Sequence, residues 1–91
     1  MGDSEAVAER IRQLDSAIEK AVDTPTNYVL RGELYLSARE YALAKRDFQR
    51  AQELAAAQFE SSDWGLMAQA MEDRAWMGLQ KAEQKLQTTI P

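Results

Sequence analysis

Apolar residues recur along this chain at intervals of three and four, the spacing that lines one face of an α-helix. Over 4–22, Val7, Ile11, Leu14 and Ile18 form one stripe, which Ala17 and Ala21 widen. Ser4 is placed to cap its start. The run DTPTN at 23–27 breaks the pattern, because Pro25 disfavours helical geometry at Thr24. Thr26 or Asn27 is then the expected cap of a second helix over 27–38, with Tyr28, Leu30, Leu34 and Tyr35 apolar and Gly32 in its middle. A mid-helix glycine costs about 1 kcal/mol relative to alanine. Gly32 therefore predicts a neighbour that comes too close for a side chain. A third helix is predicted over 40–57, with Tyr41, Ala44, Phe48 and Ala51 along one face. The break before it is short, so the second and third helices should lie antiparallel. Ser62 or Asp63 is the expected cap of a fourth helix over 64–87, striped by Trp64, Met67, Met71, Ala75, Gly78, Leu79, Ala82 and Leu86. Residues 88–91 are expected to fray.

No stretch alternates as a strand would, so the expected fold is all-α, one domain over 1–91. Its expected core is Ile11, Leu14, Ile18, Tyr28, Leu34, Tyr35, Ala44, Phe48, Ala51, Met67 and Met71.

Composition narrows the chemistry. The chain has 91 residues and neither cysteine nor histidine. That removes a disulfide scaffold, a thiolate nucleophile, the usual zinc sites and the commonest general base. No glycine-rich loop of the phosphate-cradling kind occurs. Glu72 and Asp73 are adjacent carboxylates, but neighbours on a helix point about 100° apart and do not converge. The expectation is a protein that is not an enzyme and needs no cofactor. Fifteen acidic against eleven basic residues give a net charge of −4, which argues against nucleic acid, since phosphate contacts need a basic surface. The one basic grouping is Arg39, Arg46 and Arg50, a solvated face or a contact for an acidic partner. No apolar run approaches the roughly 18 residues of a membrane span. The charged first twenty residues do not read as a secretory signal, and Ala6 stands where a myristoylation start needs Ser or Thr. Cytoplasm is the expected location.

The segment NYVLRGELYLSAREYALAKRDFQRAQELAA resembles a tetratricopeptide repeat: Tyr28, Gly32, Tyr35, Tyr41, Ala44, Phe48 and Ala51 stand at that family's spacings. The family repeats about every 34 residues as an antiparallel helix pair. One period before Tyr41, Phe48 and Ala51 stand Val7, Leu14 and Ala17, although Arg10 takes the place of an alanine. With a two-residue insertion, Trp64, Ala68 and Met71 take the places of Tyr28, Gly32 and Tyr35 in the following repeat. The chain is thus expected to hold one full repeat, 27–57, between degenerate half repeats, 4–22 and 64–87, the last a long C-terminal capping helix.

The resemblance implies a protein-interaction module, an adaptor or scaffold that binds a peptide or a partner's helix on a concave surface lined by first helices. With Tyr28, Gly32 and Tyr35 facing the neighbouring helix, Val29, Glu33 and Leu36 are the candidate partner-binding residues. An apolar pair around a carboxylate would suit a peptide with an apolar anchor and a basic group; alternatively another helix covers these residues as core. The partner carboxylate that some members hold with Lys and Asn finds neither at Val29 and Glu33. Off the main stripe of the fourth helix, Leu66, Trp76 and Met77 are the candidate self-association residues. The alternative function is accordingly a structural domain that forms a homodimer through its C-terminal helix.

Overall fold

The structure, a computed structural model, describes residues 2–59 and 65–88, with side chains over 4–58 and 69–88. Four helices make up its regular structure: α1 (Gly2–Lys20), α2 (Pro25–Ser37), α3 (Tyr41–Phe59) and α4 (Gly65–Thr88). The apolar periods place all four helices within two residues of these bounds. The caps are less well placed. Ser4 lies inside α1. Thr24, in extended conformation, is the N-cap of α2, and Pro25 is its first residue. Proline suits that position because its missing N–H would be unpaired there anyway and its φ is already helical. The expected caps Ser62 and Asp63, together with Trp64, lie outside the described residues.

The α2–α3 turn closes as a Schellman motif. The Glu40 N–H donates to the Tyr35 carbonyl at 2.8 Å and the Arg39 N–H to the Leu36 carbonyl at 3.1 Å. Arg39 sits at the left-handed position of this motif with φ 62°. In the α1–α2 connection side chains add to the backbone bonds: the Tyr28 hydroxyl donates to the Val22 carbonyl at 3.0 Å, and the Gln58 amide to the Asp23 carbonyl at 2.7 Å.

Among the described residues, α3 packs against both α2 and α4, α4 also touches α2, and α1 touches α2 alone. The result is a slab of 42 × 29 × 17 Å. Its core is built from Val29, Ala44, Phe48, Ala51, Ala75 and Ala82, with Tyr28, Tyr35, Leu36, Met71 and Leu79 packed around them. So many alanines let the helices come close. Phe48 fills the space they leave, fully buried between Gly32 of α2 and Gly78 of α4. The close neighbour expected at Gly32 is this ring.

Of the expected core, Ala44, Phe48, Ala51 and Ile18 are buried. Tyr28, Tyr35 and Met71 pack against the core from half-buried positions. Ile11, Leu14 and Leu34 are also only half-buried; for Ile11 and Leu14 the reason is that α1 has one neighbour. The Met67 side chain lies outside the described residues.

Candidate functional site

At the junction of α1, α2 and α3, one guanidinium collects two carboxylates. Arg31 donates from Nε and Nη2 to the two oxygens of Asp47 at 2.8 and 2.7 Å, and from Nη1 to Asp15 at 2.8 Å. Tyr28 and Tyr35, three residues before and four after on α2, hold their ring centroids 5.8 and 5.7 Å from the guanidinium carbon. Such rings favour a cation over their faces. The bidentate bond to Asp47 is the main cause that raises the Arg31 pKa above its ordinary value; burial opposes it, and Asp15 adds to it. Burial also pushes the Tyr35 hydroxyl upward, with the Arg31 charge pulling the other way. Asp47 is 4% exposed, and among the described residues no buried side-chain polar atom lacks a partner. A guanidinium and carboxylate saturated in this way lock helices together and leave no free base for chemistry. The apolar pattern did not mark Arg31, Asp47 and Asp15. The signal available was the spacing of Arg31 between Tyr28 and Tyr35.

The three residues expected to face a partner lie where α4 crosses α2. Val29 is wholly buried in the core cluster, which corrects its placement on an open groove. Glu33 accepts from Arg74 of α4, at 3.3 Å from Nε and 2.5 Å from Nη2. Its carboxylate therefore already has a cation, and a basic ligand would have to compete for it. Leu36 packs against the core while remaining partly exposed. What stays accessible along this seam is the Glu33–Arg74 pair, with side chains 40% and 44% exposed, and the edge of Leu36.

Trp76 and Met77 are 54% and 55% exposed. They line a shallow surface on α4 with Gln80, Lys81, Glu83 and Gln84. The Leu66 side chain lies outside the described residues. The expected basic grouping is divided. Arg39 belongs to the α2–α3 turn, whereas Arg46 and Arg50 border a depression with Tyr28, Leu43 and Glu53. Arg50 donates to Glu53 at 3.1 Å, and this bond raises its pKa.

Among the described residues, no group of three or more acidic side chains gathers as a metal site would require. No helix there is long and apolar enough to cross a membrane. Compared with known proteins, the chain matches no family model, no curated protein and no solved structure.

Proposed function

We propose that this protein is a protein–protein interaction module, an adaptor or scaffold and not an enzyme. It is built as a tetratricopeptide-like stack whose α2–α4 side receives a peptide or a partner's helix. The observation that carries this reading is the order of neighbours: α1 on α2 alone, α2 on α3 as a hairpin, and α4 on α3 and α2 together. A half repeat, a full repeat and a half repeat would stack in that order, with the first helices α2 and α4 on one side. Leu36 supplies the apolar contact and the Glu33–Arg74 pair the polar one. A surface ion pair of this kind is worth only about 0–1 kcal/mol, so a ligand can open it at little cost.

Selection of a phage-displayed library of linear peptides on the protein, followed by chemical-shift mapping with a selected peptide, tests the reading. Shifts should centre on Glu33, Leu36 and Arg74. Leu36→Ala should weaken binding more than Glu33→Gln, because apolar burial contributes about 25 cal/mol per Å². Shifts confined to the Arg46–Arg50 face of α3 would overturn it.

A second reading, a structural domain that self-associates through α4, is favoured by one observation. Trp76 and Met77 are large, adjacent in sequence and more than half exposed, and such apolar groups on an otherwise polar face mark contact surfaces.

A further inference from the structure

The exposed face of α4 has an internal symmetry. At 100° per residue, Asp73, Trp76, Met77, Gln80 and Gln84 fall within one arc of about 100°. That arc lies opposite Met71, Ala75, Gly78 and Ala82, which face the core. Trp76 and Met77 are its large apolar members among the residues with described side chains, and by position Leu66 falls on the same arc. Asp73 stands four residues before Met77, and Lys81, at the edge of the arc, stands four residues after it. Both are exposed, and neither has an ion-pair partner among the described residues.

We infer that α4 pairs antiparallel with α4 of a second copy of this chain, about a twofold axis beside Trp76 and Met77. This deepens the self-association reading of the same face and rests on it. Reversal of direction about that axis exchanges the positions before and after Met77. Asp73 of each copy then faces Lys81 of the other, and the arrangement forms twice. Trp76 and Met77 of both copies meet between the two ion pairs. In this register Asp73, the one charged residue within the arc, faces no like charge, while on the other flank Glu83 comes beside Glu72 of the second copy. Arg74, on the flank nearest Lys81 of the second copy, keeps its charge matched by Glu33 of its own chain. Burial of the four apolar side chains supplies the attraction, while the charge pairs select this register over its neighbours.

Sedimentation velocity of the full chain over a concentration series should show a monomer–dimer equilibrium. Asp73→Lys alone and Lys81→Asp alone should each weaken the dimer by roughly tenfold or more, because each sets like charges opposite one another. An equimolar mixture of the two variants should restore association as a heterodimer. Circular dichroism should show the helicity of both variants unchanged, since both side chains are exposed. The chain has no cysteine, so Met77→Cys introduces a single thiol. Copper-catalysed oxidation should join that variant into a covalent dimer, whereas Glu53→Cys on α3 should still associate but should not be cross-linked. A wild-type chain that is monomeric at every concentration overturns the pairing together with the self-association reading. A wild-type dimer that both charge reversals leave at full strength, and that Met77→Cys does not cross-link, overturns this pairing alone.

Discussion

A methyl group added at Gly78 would overlap the Phe48 ring, and one added at Gly32 would come within 2.9 Å of it. Alanine is the better helix former by about 1 kcal/mol, so propensity and packing oppose each other at both positions. At Gly78 packing wins, since forcing volume into a filled core costs about 1–3 kcal/mol. Gly78→Ala should therefore lower the urea midpoint. Gly32→Ala should stay within about 1 kcal/mol of wild type, while Gly32→Leu should lose more than propensity accounts for. A Gly78→Ala protein more stable than wild type would show that the ring does not press on α4. Arg39 raises a different question, because its φ of 62° lies where a side chain crowds the backbone. Glycine relieves that crowding, so Arg39→Gly should stabilise by about 0.5–1 kcal/mol. The same midpoint measurement checks it: a fall would mean that the arginine side chain holds something more valuable than the strain it causes.

Between elements, the strongest polar tie is Arg31 of α2 with Asp47 of α3. Its two parallel bonds use the planar fork that lysine lacks. The Asp47 side chain is 6% exposed and that of Asp15 is 50% exposed, so the two acids that Arg31 holds should differ in value. Asp47→Ala leaves a partly buried guanidinium short of two bonds and should cost about 2–3 kcal/mol. Asp15→Ala removes a solvent-screened contact and should cost under about 1 kcal/mol. Replacement of both inner partners with apolar residues, Arg31→Met with Asp47→Leu, should recover much of the Asp47→Ala loss, because no charge is then stranded. Equal losses for Asp15→Ala and Asp47→Ala in urea unfolding would contradict this ranking.

For the whole molecule, the unequal sharing of neighbours sets where the fold gives way first. Helix α1 rests on α2 alone, with Val7, Ile11 and Leu14 of its stripe still half exposed. Helix α3 carries Phe48, Ala44, Ala51 and Ala55 into the centre. Local opening follows the density of buried contacts. Native-state amide exchange should therefore find α1 the least protected helix and the middle of α3 the most protected. Protection of α1 equal to that of α3 would mean that the chain opens only as a single unit. This chain closes its core with small residues and one phenylalanine, while Trp76 and Met77 on the outer face of α4 remain exposed.

The number of helices, their bounds to within two residues, the α2–α3 hairpin break and the burial of Ala44, Phe48 and Ala51 follow from the sequence alone. Each depends on local period and side-chain volume, which neighbouring residues on one helix determine among themselves. The crowding at Gly32 and the apolar pair at Trp76 and Met77 were legible for the same reason: a glycine inside a helix and large groups off its stripe are local irregularities. The burial of Val29, the capture of Glu33 by Arg74, the seat of Gly78 against Phe48 and the Asp15–Arg31–Asp47 junction were decided only by the tertiary structure. These contacts join residues 16 and 41 positions apart in the charged cases. The Glu33–Arg74 pair exists because α4 lies across α2 as well as α3, and the junction exists because α1, α2 and α3 meet at Arg31. Helical period determines which residues share a face, but the partner of that face depends on how the helices cross, and that is settled by fitting their surfaces together in space.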